Sequence, residues 1–154
     1  MNGGSNRLLL STKRERERLR RSFQPPRIQL LFVGESPPAS GRFFYSGNSG
    51  LYRAMRAAFQ NADGRVRDEN FLAIFRGYGC YLTDLSCEPV DHLELHLRKA
   101  MRSDGEAYLS KEITRLQPGM IAPVLRSITT NVQNAAARAD WRGQIIQLPY
   151  PGRW

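Results

Sequence analysis

The segment Ile28-Gln29-Leu30-Leu31-Phe32-Val33-Gly34-Glu35-Ser36-Pro37-Pro38 is the most telling in the chain. A short apolar run that closes on glycine reads as a buried strand, and the two prolines that follow make a rigid loop. Working outward, Asn48 to Phe59 carries Leu51, Tyr52, Met55, Ala58 and Phe59 at helical spacing, with Asn48 or Ser49 as N-cap. Gly79 to Leu85 reads as a second strand, and Met120 to Leu125 as a third in which Pro123 suggests an edge or a bulge. Ile145-Ile146-Gln147-Leu148 is the last strand. Between them, His92 to Met101, Glu106 to Leu116 and Ser127 to Ala139 read as helices.

Strands separated by helical stretches predict an α/β domain with a short, mostly parallel sheet of about four strands and helices on both faces. Ligands of such sheets gather beyond the carboxyl ends of the strands. Those ends are Gly34-Glu35-Ser36-Pro37-Pro38, Asp84-Leu85-Ser86 and Pro149-Tyr150-Pro151-Gly152.

The 154 residues fit one domain over 25–154, preceded by a basic arm or helix over 1–24. The run Lys13-Arg14-Glu15-Arg16-Glu17-Arg18-Leu19-Arg20-Arg21 reads as a solvated helix with Glu/Arg pairs, or as an arm along phosphates. No apolar run reaches the ~20 residues of a membrane span, and Leu8-Leu9-Leu10 is too short for the core of a secretory leader. Cys80 and Cys87 form neither a disulfide framework nor a metal-ligand set, so a reducing, intracellular setting is expected. The formal net charge of +9, mostly arginine, suits a polyanionic partner or serves solubility alone.

Three segments could carry chemistry. In the first, Glu35 follows the strand and could orient or deprotonate a water. Phe43-Phe44-Tyr45 downstream offers a stacking surface, or alternatively caps the core. The second is Cys80-Tyr81-Leu82-Thr83-Asp84-Leu85-Ser86-Cys87, in which Asp84 could instead be an N-cap. The third is Gln147-Leu148-Pro149-Tyr150-Pro151-Gly152-Arg153-Trp154. His92 and His96 are four apart, but Glu94 is out of phase for a zinc-protease helix and no third ligand is evident. No Walker A loop, dinucleotide fingerprint or nucleophile elbow is present.

Gly34-Glu35-Ser36-Pro37, Gly41-Arg42-Phe43-Phe44 and Gly47-Asn48-Ser49-Gly50-Leu51 together resemble the first motif of the uracil-DNA glycosylase superfamily. The likeness is to its mismatch-specific and iron–sulfur bacterial branches, without the cluster cysteines other than a match at Cys87. It implies a stacking aromatic at Phe44 and a base pocket that includes Gly34, Ser36 and Asp84. Asp84 stands where the family has asparagine; an ionised aspartate only accepts hydrogen bonds. Such a pocket should favour a base edge rich in N–H donors, or raise that carboxyl's pKa.

Tyr150 stands at a family histidine or asparagine that stabilises the leaving base, and losing one such donor costs roughly 10²–10³ in rate. The resemblance implies catalysis by Glu35 and Tyr150. It also implies DNA contacts through Arg42, Ser46, Asn48, Gly152, Arg153 and Trp154, with Arg53 on phosphates. The expected protein is a monomer that binds double-stranded DNA bearing a damaged or mismatched base, near the nucleoid or nucleus. It would need no metal or organic cofactor. The alternative is a glycosylase-fold binding module without catalysis.

Overall fold

A computed structural model describes residues 9, 10 and 12–149. Four strands form one all-parallel sheet in the order β2-β1-β3-β4: β1 Leu30–Gly34, β2 Cys80–Asp84, β3 Met120–Pro123 and β4 Gln144–Ile145. Five helices accompany it: α1 Lys13–Ser22, α2 Gly50–Ala62, α3 Phe71–Gly77, α4 Leu95–Leu116 and α5 Thr129–Arg138. From β1 the chain steps one way to β2, then crosses back over β1 to β3 and on to β4. Parallel crossovers are right-handed, so the reversal of direction sets α2 and α3 on one face and α4 and α5 on the other. Phe32 of β1 stacks on Phe75 of α3 across the first face, and α4 packs against α5 on the second. No helix among the described residues is long and apolar enough to cross a membrane.

The first face is unusually aromatic. Phe44, Tyr52, Phe59, Phe71 and Phe75 meet mostly edge to face with centroids 5.4–6.3 Å apart, the arrangement that ring quadrupoles favour. Leu31, Val33, Ile113, Ile121 and Val132 are completely buried and belong to the same core.

Three sequence expectations change. The two helices expected over 92–101 and 106–116 are one helix, α4, which runs straight through Gly105. A Cβ at Gly105 would lie 2.2 Å from the Leu85 carbonyl oxygen, so glycine here serves helix-to-strand contact and not helix termination. The helix ends where Gln117 turns left-handed, just before Pro118.

Pro123 does not mark an edge, because β3 lies between β1 and β4. The Val124 N–H bonds to the Val33 carbonyl at 2.9 Å, so Pro123 one residue earlier faces the β4 side, past the last β4 pairing at Ile121–Ile145. Its missing N–H therefore removes no rung of the sheet.

The charged run is helical, but it is not merely solvated: Arg16 and Arg20, four apart on one side of α1, are each only 2% exposed. Thr12 caps this helix by accepting the Glu15 N–H at 3.2 Å.

Candidate functional site

The site grows from the carboxyl ends of β1 and β2. Gly34 and Asp84 are register partners, and two further bonds, Leu85 N–H to Gly34 O and Ser86 N–H to Glu35 O, both 2.8 Å, carry the pairing past the strands. A Cβ on Gly34 would stand 2.6 Å from Asp84 Oδ1. Only glycine lets the Asp84 side chain lie across the end of β1.

Asp84 is 6% exposed and its Oδ2 takes a 3.0 Å hydrogen bond from Arg20 Nη2. The same guanidinium donates to the Leu82 carbonyl at 2.7 Å and to Glu17 at 3.3 Å, and stands 5.2 Å from the centre of the Phe43 ring. Burial pushes the Asp84 carboxyl above its ordinary value, and the positive charge of Arg20 pulls it back. Tyr45 completes this edge: its oxygen accepts the Leu82 N–H at 2.7 Å. Arg20 and Tyr45 thus satisfy both outward backbone groups of Leu82 and close the free edge of β2.

Two loops meet above the strand ends. Ser36 Oγ accepts the Val90 N–H and donates to the Pro37 carbonyl, both at 3.2 Å, and Asp91 accepts the Ala39 N–H at 3.0 Å. Farther on, Asn48 Oδ1 accepts the Phe43 N–H at 2.8 Å, Gly47 turns left-handed, and Ser49 caps α2 by accepting the Tyr52 N–H at 3.1 Å. Between the loops and α2 lies a cleft of about 270 Å³, walled by Pro37, Pro38, Phe43, Phe44, Leu51 and Leu82. Its polar lining comes from Ser36, Ser49, Asp84 and Asp91, together with the backbone at Gly50. A small, mainly apolar hollow with few convergent polar groups is the usual form of a ligand site, here near the lower end of the size range.

Glu35 lies on the other side of this junction. It is 7% exposed, and α4 supplies both its partners: Arg102 Nε at 2.6 Å and Arg98 Nη2. Two guanidiniums on one buried carboxylate anchor α4 to the end of β1. No protein-family profile matches this chain, and no curated protein sequence matches it.

Of the residues singled out in the sequence, the fold brings Ser36, Phe44 and Asp84 to one cleft, with Gly34 beneath Asp84. Glu35 adjoins them without lining the hollow. Phe44 is 3% exposed, so its ring belongs to the aromatic core as well as to the cleft wall. Asn48 holds the loop through Phe43, Arg42 is exposed, and Ser46 is half-buried with an Oγ that has no partner among the described residues. Tyr150, Gly152, Arg153 and Trp154 lie outside the described residues.

His92 precedes α4 while His96 is within it; both side chains are exposed, and no group of three metal-ligating residues occurs among the described residues. Cys87 is half-buried, and burial pushes its thiol above the ordinary value.

Sequence reasoning missed Arg20, Arg98, Arg102, Ser49 and Asp91. The i, i+4 spacing of Arg16 and Arg20 was visible, but arginines at such spacing usually mark a solvated face. Only the opposing Asp84, sixty-four residues away, reveals otherwise.

Proposed function

We propose that this chain is a DNA-binding protein of uracil-DNA glycosylase type, which receives a nucleobase extruded from a duplex in the cleft over Gly34. The observation that carries this reading is the meeting of Ser36, Phe44 and Asp84, from distant parts of the chain, in one aromatic-walled hollow at the strand ends. A flat, apolar slot with a few hydrogen-bonding groups suits a planar heterocycle, and a base removed from its stack needs such a slot. Arg42 and Arg53 are exposed on the segments that frame it, where phosphates of the flanking nucleotides could be met.

The reaction proposed is hydrolysis of the N-glycosidic bond. The C1′–N bond breaks with its electron pair leaving on the base, and water supplies oxygen to C1′ and a proton to balance the departing base. In this reading Glu35, with both its oxygens held by arginines, would act on the cationic sugar through its charge and not by rotating onto a water, although the two guanidiniums offset much of that charge. The same observation favours a second reading, a binding module without catalysis, since the carboxylate is engaged in holding α4.

Duplexes carrying uracil, hypoxanthine, xanthine, mismatched thymine, mismatched cytosine or mismatched adenine, incubated with the protein and then treated with alkali, separate the two. Strand breaks that fall roughly 100-fold in Glu35→Gln, with the circular-dichroism spectrum unchanged, are expected for the enzyme. Salt-sensitive binding without abasic product supports the module. Absence of DNA binding at moderate salt refutes both.

A further inference from the structure

The polar groups of the cleft are not symmetric. Its side-chain charges among the described residues are all negative: Asp84 and Asp91 reach it, and no described lysine, arginine or histidine lines it. Arg20 occupies Oδ2 of Asp84, so the acceptor left to the cleft is Oδ1, which has no hydrogen-bond partner among the described residues. Asp84 is more than nine-tenths buried, but Oδ1 is not one of the sealed side-chain atoms left without a partner, so a group that enters the cleft can donate to it.

Asp91 stands at the rim with its side chain half-exposed; its Oδ1 takes the Ala39 N–H, and the charge remains. Ser36 is engaged at both its donor and its acceptor. Donors in the cleft are therefore uncharged: the Ser49 hydroxyl and the first N–H groups of α2.

From this arrangement we infer that the cleft selects nucleobases that present an exocyclic amino group over those that carry a carbonyl at the same position, the amino N–H being donated to Asp84 Oδ1 near Asp91. The inference rests on the reading of the cleft as a base pocket and adds to it the class of base. Uracil and thymine carry a carbonyl oxygen at that position, which places acceptor against acceptor and leaves only the neighbouring ring N–H to donate. Cytosine and adenine turn an NH₂ group toward the carboxylates. Arg20 acts here as a positioning residue, because its grip on Oδ2 fixes which oxygen faces the base.

Two pairs of bases test this feature, cytosine against uracil and adenine against hypoxanthine: each exchanges an exocyclic amino group for a carbonyl and, with it, an accepting ring nitrogen for a ring N–H. Each base is placed opposite an abasic site in the same labelled duplex, so that extrusion is equally easy. Dissociation constants are then measured by fluorescence anisotropy at fixed salt, with an abasic-only duplex as reference.

The expected result is tighter binding of the amino member of both pairs by roughly 10-fold or more, the range of a hydrogen bond to a charged acceptor. Asp84→Asn, whose amide turns either way, should bring the ratio to within about threefold. If that variant fails to fold, Asp91→Asn at the exposed rim should still reduce the preference. Equal or reversed preference within the pairs, with every base bound more tightly than the abasic reference, overturns the inference and leaves the base pocket standing. Binding indistinguishable from the abasic reference for all four bases overturns both.

Discussion

Replacing Arg20 by methionine keeps most of the side-chain volume and removes its charge. Arg20 is 2% exposed and Asp84 6%, so the variant leaves a carboxylate in the interior without its cation. Breaking a buried pair by deleting one partner costs about 3–5 kcal/mol. A limit on this cost comes from Asp84 itself, which can take up a proton in place of staying charged. Keeping neutral a carboxyl whose ordinary value is near 3.9 costs about 4 kcal/mol at pH 7 and about 1.5 kcal/mol at pH 5.

The sign follows from burial. A carboxyl whose folded-state pKa lies above its unfolded value favours the folded state most at acid pH, and that advantage is lost as pH rises through the folded value. Burial already displaces Asp84 in this direction, and removing Arg20 takes away the main opposing charge; Glu17 acts with burial and Arg16 against it.

Arg20→Met should therefore lower stability by about 4 kcal/mol at pH 7, a fall of roughly 8–16 °C in melting temperature. At pH 5 the deficit should shrink to less than half of that. Urea unfolding of wild type and variant at both pH values, followed by circular dichroism, measures the difference directly and cancels groups common to both. The double variant Arg20→Met/Asp84→Asn should lose the pH dependence. A deficit below about 1 kcal/mol, or one equal at pH 5 and pH 7, would refute the buried pair as the link between α1 and the cleft.

Two glycines make a matched comparison. Alanine gains about 1 kcal/mol over glycine in a helix, so Gly77→Ala, with open space where its Cβ would stand, should raise the urea midpoint. Gly105→Ala should lower stability by about 1–3 kcal/mol, because the Cβ meets the Leu85 carbonyl and α4 must shift; a neutral result would deny that contact. Burial pushes the Cys80 thiol up to about 11, and it is 5% exposed. Iodoacetamide at pH 8 should leave Cys80 unmodified in the native protein and alkylate it in urea, with Cys87 labelled first; equal native rates would contradict this.

The parallel sheet was legible because β1, β2 and β3 are short, mostly apolar runs, and a buried strand needs no alternation, whereas the last strand, expected over 145–148, is the two-residue edge strand Gln144–Ile145. The cleft loops were legible as turn-rich segments at strand ends. The long helix α4 was not. Ser103-Asp104-Gly105 reads as a break, and nothing local tells that Leu85 packs so close that only glycine fits. Glu35 announced itself as a polar residue at a strand end, but its partners Arg98 and Arg102 were concealed, since a helix exposing arginines looks alike whether or not a carboxylate awaits them. Likewise Phe43-Phe44-Tyr45 read equally as stacking platform or core cap. Burial of all three at 1–3% shows that the core claims them, with one side of Phe43 and Phe44 left to the cleft.

The distribution of charge is itself instructive. Among the described residues of a chain of net charge +9, the side chains that line this cleft include two carboxylates and no cation, with Arg20 standing behind Asp84. Attraction of a polyanion is a long-range effect of the whole surface, which added salt weakens. At the cleft itself Arg20 offsets the charge of Asp84, so the charge presented is that of Asp91, and a phosphate approaching that rim would be repelled. Under the proposed reading these opposite signs divide the work: the arginine-rich surface draws in the backbone, and the carboxylate at the rim keeps that backbone out of the hollow while admitting an uncharged ring with N–H groups to donate. It follows that neutralising Asp91 should tighten binding of undamaged DNA while it weakens the distinction between bases, whereas removing Arg42 or Arg53 should weaken all DNA alike. Affinity and selectivity would then move independently, which a single patch of one sign could not produce.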